Sequence, residues 1–335
     1  MNRQQEQPLI GESPIFLEVL EHVSRVAQLN RPVLVIGERG TGKELVAARI
    51  HFLSPRWDRP FVKLNCAALA ESLLETELFG HEAGSFTGAT RRRLGRFELA
   101  NEGSLFLDEL SNTSERVQEK VLRVIEYGEL ERVGGNDTIR TNVRIIGATN
   151  EDLPSLAEQG RFRADLLDRL AFDVITLPPL RERREDIMPL ADYFAVKMSG
   201  ELGLELFQGF SDSAREAVMD YRWPGNVREL KNVIERAVYS SLGDDEPISR
   251  ITFDPFDSPW RPGGQNQAEL AQTAPARPTE AYDFKDHIQQ HEIDLLQSAL
   301  EQCRFNQKKT AEFLGMTYHQ LRGYLRKYEL TDQEE

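Results

Sequence analysis

Val33-Leu34-Val35-Ile36-Gly37-Glu38-Arg39-Gly40-Thr41-Gly42-Lys43-Glu44 is the stretch that decides the fold. Four aliphatic residues read as a short strand, and a helical pattern begins at Lys43 and runs to Leu53. A strand, a glycine-rich turn, a lysine and a helix, in that order, are the context of a phosphate-binding loop. Glycines let backbone N–H groups approach phosphates, and the helix N-terminus adds a favourable dipole. Gly37, Glu38, Arg39, Gly40, Thr41 and Gly42 would form the cradle, and Lys43 would reach the β- and γ-phosphates. The expected ligands are ATP and Mg²⁺. The Ser or Thr that usually follows the lysine as a metal ligand is Glu44 here.

Further strands follow at Phe61–Leu64, Leu105–Leu107, Val143–Ile146 and Phe172–Ile175, with helix-length segments such as 43–53 and 117–127 between them. That alternation predicts an α/β fold with a five-stranded parallel sheet. Phe16, Val19, Leu20, Val23, Val26 and Ala27 recur at helical spacing ahead of the first strand. Ser104-Leu105-Phe106-Leu107 ends in Asp108-Glu109. Given the phosphate loop, Asp108 would hold Mg²⁺, and Glu109 would orient or deprotonate the attacking water. Thr149 and Asn150 end the fourth strand, and either sense the γ-phosphate or cap the next helix. Asn65 ends the second strand, and either restrains Glu109 or is a plain strand terminus.

Arg163 and Arg169, in the segment 162–169, are either members of surface i,i+3 ion pairs or arginine fingers for a neighbouring subunit. After Pro178-Pro179 the strands stop. Helical patterns at 186–199, 211–221 and 227–240 predict a helical subdomain, in which Arg228 would reach toward the same phosphates. Trp57 lies in the polar segment Ser54–Pro60, as a core residue or an exposed contact.

The chain has 335 residues and a formal net charge of −14, which argues against a protein that coats nucleic acid. No run of 18 apolar residues predicts membrane insertion, and residues 1–7 lack a signal-peptide pattern. Two cysteines, Cys66 and Cys303, argue against a disulfide framework or zinc site and fit a reducing cytoplasm. The organisation reads as an α/β ATPase subdomain at 1–180, a helical subdomain at 181–256, a Pro/Gly/Gln/Ala-rich linker at 257–282 and a small helical domain at 283–330.

That last domain carries a local basic face: Arg304–Tyr328 holds six basic residues against one acidic residue, Glu312. Ala311, Gly315 and Leu321 have helix-turn-helix spacing. Thr317 with Gln320 predicts a capping box. Leu321, Tyr324, Leu325 and Tyr328 form the expected buried stripe. His319, Arg322, Gly323 and Arg326 form the opposite one. His319 and Arg322 would approach base edges, and Lys308, Lys309, Arg326 and Lys327 would meet phosphates, with Tyr318 beside them. Ile288, Leu295, Ala299 and Cys303 mark the preceding helix.

Gly84-Ser85-Phe86-Thr87-Gly88-Ala89 packs poorly as helix or strand and reads as a loop tip presenting Phe86. It resembles the GAFTGA loop of bacterial enhancer-binding proteins that activate sigma-54 RNA polymerase, with Ser85 in place of alanine. The phosphate loop, Glu77–Glu82, Leu107-Asp108-Glu109, Phe162–Arg169 and Arg181-Glu182-Arg183 are similar to that family's landmarks. Ile10-Gly11 resembles its adenine-side opening.

The resemblance implies an AAA+ P-loop ATPase with a helical lid and a C-terminal Fis-like helix-turn-helix. It implies an ATP-dependent activator working as a hexamer ring on sigma-54 holoenzyme from double-stranded enhancer DNA, and a DNA-binding domain that dimerises. About nine residues precede the adenine-side opening, so no receiver domain is expected. Control in trans by an inhibitor resembling phage shock protein A, touching Trp57, is implied instead, with phage-shock genes as targets. The alternative is a nucleotide-switched DNA-binding regulator, which would not need Phe86 or Thr87.

Overall fold

The computed structural model describes residues 8–86, 89–204, 206–242, 246–258, 261, 284–303 and 305–328. Thr87 and Gly88, most of the 257–282 linker, Arg304 and the side chain of Ile288 lie outside the described residues. The chain divides into two compact units, Met1–Pro255 and Phe256–Glu335.

The first unit begins with α1 (Pro14–Ala27), β1 (Val33–Ile36), α2 (Lys43–Phe52), β2 (Phe61–Asn65) and α3 (Glu71–Phe79). Then come β3 (Gly80–His81), β4 (Arg93–Leu94), α4 (Arg96–Leu99), β5 (Ser104–Asp108) and α5 (Glu115–Tyr127). β6 (Glu129–Glu131), β7 (Thr138–Arg140), β8 (Arg144–Thr149), α6 (Leu153–Glu158), α7 (Ala164–Leu170) and β9 (Val174–Thr176) complete the α/β part. The main sheet has five strands in the order β2-β5-β8-β1-β9, and every pairing is parallel.

Both faces of this sheet are buried, which explains why its strands read as continuous aliphatic runs. Successive side chains point to opposite faces. Val33, Val35, Phe106, Ile146, Ala148 and Ile175 pack with Val23 and Val26 of α1 and with Val46, Ala47 and Ile50 of α2. Leu34, Leu105, Leu107 and Ile145 pack on the other side against α3, α5, α6 and α7. Arg144 is buried at the start of β8 and caps α1, donating to the Ala27 and Val26 carbonyls at 2.7 and 2.9 Å and to Arg31 O at 3.1 Å. A cation is well placed among the unpaired carbonyls of a helix end.

Two short antiparallel hairpins, β3–β4 and β6–β7, stand apart from the sheet and were not legible in the sequence. They hold the segment that contains the 84–89 loop.

α8 (Ile187–Glu201), α9 (Asp212–Asp220) and α10 (Asn226–Ser240) form the helical subdomain. Its core gathers Leu190, Phe194, Val218, Leu230 and Ile234 around Trp223. Trp223 is fully buried, and its indole Nε1 donates to Val218 O at 3.0 Å. Its backbone φ is +51°, so the side chain enters the core from a turn rather than from a helix face.

In the second unit, α11 (Phe284–Gln302), α12 (Gln307–Phe313) and α13 (Tyr318–Lys327) enclose a small core of Leu296, Leu300, Ala311, Leu321 and Leu325. The helix marked by Leu295 is present, and one expectation, the burial of Tyr324, is corrected here. Leu295 is exposed and Leu296 is buried, and Tyr324 is partly exposed rather than part of the buried stripe. Asn306 caps α12 by accepting from Lys309 N at 3.1 Å, and the Thr317–Gln320 capping box forms as expected.

Truncating Trp223 removes the largest fully buried side chain. Trp223→Ala is expected to cost about 3–5 kcal/mol of stability. Denaturant unfolding of parent and variant measures this directly.

Candidate functional site

The phosphate loop is gripped from both sides. On the sheet side, Gly37 N donates to Thr149 O at 3.2 Å. On the helical side, Arg228 N donates to Gly40 O at 3.3 Å, and Arg183 Nη2 to Thr41 O at 3.3 Å. Gly40 has φ +80°, and a Cβ there would lie 2.3 Å from Gly225 O, so only glycine permits this approach. Gly42, at φ +104°, is the N-cap of α2. Thr41 is buried and donates to Glu38 O at 2.8 Å.

Lys43 Nζ donates to Gly37 O at 2.8 Å and Glu38 O at 3.2 Å. Burial pushes its ammonium below the ordinary lysine value, while Glu109 and Asp108 oppose the shift and Arg228 and Arg39 add to it. The loop borders a cavity of about 290 Å³, which Lys43, Arg39, Glu44, Asp108, Glu109 and Arg228 line on the polar side. Ile10, Leu190, Tyr193, Phe194 and Val227 line its apolar side. A flat aromatic base suits the apolar wall, and a polyphosphate suits the cationic one.

Asp108 and Glu109 stand at the end of β5. Asp108 Oδ1 accepts from Glu109 N at 3.1 Å, and Glu109 has φ +53°. Asn65 lies opposite Asp108 in the strand register. Its Nδ2 donates to Asp108 Oδ2 at 3.3 Å, and its Oδ1 accepts from Ala67 N at 2.9 Å. In this structure the Asn65 amide thus meets Asp108 and Ala67 rather than Glu109. Thr149 is buried, its Oγ1 lying 3.1 Å from Ser111 Oγ and accepting from Glu151 N at 3.0 Å. Asn150 follows it at the strand end. Cys66, beside Asn65, is buried, and burial pushes its thiol up to about 12, which keeps it a neutral packing residue.

Arg163 and Arg169 are not among the described residues lining this cavity. Arg163 makes a bidentate pair with Asp165 at 3.0 and 2.6 Å, and Arg169 pairs with Glu126 at 2.8 Å. Gln118 is buried on α5 and accepts from Arg163 N at 2.8 Å, so it fixes the backbone at Arg163. Sequence reading missed Gln118, since nothing marks one helical glutamine from another.

Sequence reading also missed the partners of Glu38. Its two oxygens accept from Arg181 at 2.9 and 2.7 Å and from Asn226 Nδ2 at 3.1 Å. Gly11 is explained by packing: a Cβ there would meet the Phe16 ring at 2.3 Å. Nearby, buried Asp186 accepts from Glu12 N, Ser13 N and Ser13 Oγ at 2.6, 2.7 and 2.8 Å.

At the 84–89 loop, Gly84 N donates to Ala89 O at 2.7 Å. Phe86 is 44% exposed and rests edge-on against His81, 5.1 Å between ring centres. Ser85 Oγ is buried with no hydrogen-bond partner among the described residues. Below the tip, Arg132 ties the two hairpins together through Glu82 at 2.7 Å and Glu98 at 2.9 and 2.5 Å.

Trp57 is 64% exposed, which decides against a core role. In the second unit, Lys308, Lys309, Thr317, Tyr318, His319, Gln320, Arg322 and Arg326 are exposed. Lys327 is also exposed but lies 3.7 Å from Glu292.

The Arg181 and Asn226 bonds hold the Glu38 carboxyl at about 2, below its ordinary 4.5. A depressed carboxyl contributes stability above its unfolded value, and the contribution is lost as pH falls through the folded one. The stability gap between parent and Glu38→Gln is therefore expected at neutral pH and should close between about pH 4.5 and pH 2. Urea titrations of both proteins across that range measure it.

Residues 9–176 match the family described as the sigma-54 interaction domain, 181–267 the AAA+ ATPase lid domain, and 288–328 the bacterial regulatory protein, Fis family. The chain is 56% identical over 322 residues to the Psp operon transcriptional activator of Escherichia coli, covering 96% of this chain and 98% of that one. It is 47% identical over 320 residues to the Nif-specific regulatory protein of Azotobacter vinelandii, covering 94% of this chain and 58% of that relative. A crystal structure of NtrX from Brucella abortus in complex with ATP superposes with a TM-score of 0.69 at 32% identity, over 96% of this chain and 69% of that one. The gripped phosphate loop, the acidic strand end and the helix-turn-helix thus belong to one known plan, and the chain is a member of the sigma-54-interacting AAA+ activators, an ATPase joined to a Fis-family DNA-binding domain.

Proposed function

We propose that this protein hydrolyses ATP between the subunits of a ring and spends the energy on moving the 84–89 loop against sigma-54, opening promoters of phage-shock type. The observation that carries this reading is the pairing of the cationic cavity around Lys43 with an exposed Phe86 on a hairpin-held loop.

In this reading Lys43, Arg39 and Arg228 bind the phosphates, and Ile10, Tyr193 and Val227 bind the base. Glu109 positions the attacking water and takes its proton. Asn65 holds Asp108 in place. Magnesium would be held by Asp108 and would neutralise charge on the β- and γ-phosphates. The donor set fits that ion. Among the described residues no three His, Cys, Asp or Glu could hold a metal together. Mg²⁺ in such sites uses one or two carboxylates, with phosphates and water supplying the rest.

Arg163 and Arg169 act on a neighbour's site as arginine fingers, their guanidinium groups released from Asp165 and Glu126 when subunits meet. Phe86 and Thr87 contact sigma-54, with Gly84, Ser85, Gly88 and Ala89 shaping the tip. The module at 283–330 dimerises and holds the ring near an upstream DNA site, His319 and Arg322 at bases and Lys308, Lys309, Arg326 and Lys327 at phosphates. Linkage of that kind raises effective concentration without adding chemistry. Exposed Trp57 is the contact for an inhibitor resembling phage shock protein A. No described helix is long and apolar enough to cross a membrane. Action on RNA polymerase and DNA sets the protein in the cytoplasm in this reading.

Two variants test the reading. Lys43→Ala is expected to abolish nucleotide binding, and tight ATP binding by that variant in equilibrium titration would overturn the phosphate-loop assignment. Thr87→Ala is expected to keep ATPase activity and to lose open-complex formation with purified sigma-54 holoenzyme. The parent should melt the promoter with ATP and fail with a non-hydrolysable analogue. Normal melting by Thr87→Ala would sink the loop assignment. Robust ATPase activity and DNA binding with no melting by the parent would favour the nucleotide-switched regulator.

A further inference from the structure

Arg181, Glu38 and Asn226 form a cluster at the phosphate loop, and none of the three is among the residues lining the cavity. The Arg181 guanidinium meets the Glu38 carboxylate with two bonds, 2.9 and 2.7 Å, the planar two-point geometry that distinguishes arginine from lysine. Asn226 is fully buried and uses both ends of its amide. Its Nδ2 donates to Glu38 Oε2 at 3.1 Å and to Arg39 O at 3.0 Å, while its Oδ1 accepts from Leu180 N at 2.8 Å.

Asn226 opens α10 with φ +54°, a conformation asparagine tolerates better than most residues. One side chain therefore joins the phosphate loop, the segment entering the lid and α10, the third lid helix. The cluster is local to the loop: Glu38 is the second residue of the glycine-rich turn, and Arg228, two residues after Asn226, lines the cavity.

We propose that Glu38, Arg181 and Asn226 are positioning residues that latch the lid onto the phosphate loop and slow nucleotide release. The proposal rests on reading the cavity as an ATP site. A nucleotide bound between loop and lid leaves when the two separate. Separation breaks the bidentate pair and both Asn226 bonds to the loop, so these bonds stabilise the closed form selectively. The carboxylate also needs its partner. Without Arg181, Glu38 would place an uncompensated negative charge beside a polyphosphate.

The experiment is stopped-flow release of fluorescently labelled ADP from the full chain. The variants are Arg181→Ala, Arg181→Lys, Glu38→Gln, the Glu38→Gln/Arg181→Ala double variant and Asn226→Gly. Arg181→Ala and Glu38→Gln are each expected to release ADP roughly threefold to tenfold faster than the parent, the range of a partly exposed charge-assisted pair. The double variant should be no faster than the faster single, because one interaction cannot be lost twice.

Arg181→Lys should fall between parent and Arg181→Ala, since a point charge restores attraction without the two-point fit. Thermal midpoints of the Arg181 and Glu38 variants should move by no more than ~2–4 °C, which separates positioning from folding. Asn226→Gly keeps the positive φ accessible and should release ADP faster still. If it fails to fold, the Arg181 and Glu38 variants decide the matter alone.

Release from Arg181→Ala at the parent's rate would overturn the latch, as would a double variant equal to the product of the singles. A parent that binds no labelled ADP would overturn the ATP-site reading along with the latch. A parent that binds it, with variants that release unchanged, overturns the latch only.

Discussion

The structure depends on how closely a turn of the lid approaches the phosphate loop. A Cβ on Gly40 would sit 2.3 Å from Gly225 O, so the two backbones meet where no side chain fits. That approach lets Arg228 N reach Gly40 O, Asn226 reach Arg39 O and Arg183 reach Thr41 O. The other flank of the loop is fixed to the sheet through Gly37 N and Thr149 O. Each such bond contributes only about 1 kcal/mol net, but together they leave the loop few ways to move without the lid or the sheet. The loop supplies Arg39 and Lys43 to the cavity and the lid supplies Arg228, Val227, Leu190 and Tyr193, so the shape of the cavity depends on this junction.

Charges are treated differently at the junction and at the rim. Arg183 and Asp186 are buried within the first unit, where desolvation is costly, and each is spread over several partners. Arg183 lies over the Phe16 ring at 4.6 Å and holds Thr41 O, while Asp186 takes three bonds from Glu12 and Ser13. Arg132 plays the same part under the 84–89 loop, joining Glu82 and Glu98. Arg169–Glu126 is a more open pair, with the arginine 60% exposed, and contributes little to stability. A weak intramolecular pair is easily exchanged for another partner, as the arginine-finger role proposed for Arg169 would require.

The fold was legible where burial on both sheet faces forces continuous aliphatic runs. β1, β2 and β5 begin at or within a residue of their expected starts for that reason. The two hairpins escaped notice because β3 and β4 have two residues each, too few to show alternation. On α11 the buried position is Leu296 rather than Leu295, and adjacent leucines give a helical period no means of choosing. The residue types of the nucleotide site were legible, but their partners were not. Asn65 faces Asp108 because β2 pairs with β5 in the register Asn65↔Asp108, and register is a property of two strands that one strand's sequence does not encode. Nothing in the sequence marks Asn226, and only the tertiary fold brings Glu38 and Leu180 to its amide.

Glu44 shows what such a substitution does within this framework. It stands where phosphate loops commonly carry a hydroxyl, in the first turn of α2, where the helix dipole favours a carboxylate. Lys63 Nζ donates to its Oε1 at 3.0 Å. Lys63 is two residues before Asn65 on β2, so both side chains leave the same face of the strand. One reaches the helix that follows the phosphate loop, and the other reaches Asp108 at the end of β5. The edge strand β2 thereby has side-chain contacts on both the phosphate-binding and the acidic sides of the site, the open Lys63–Glu44 pair adding little energy of its own, while its sheet pairing is to β5 alone. A serine or threonine at position 44 is too short to reproduce the Lys63 contact across the same gap. The carboxylate gives this edge strand a second contact, and in the proposed reading the metal-facing role falls to Asp108.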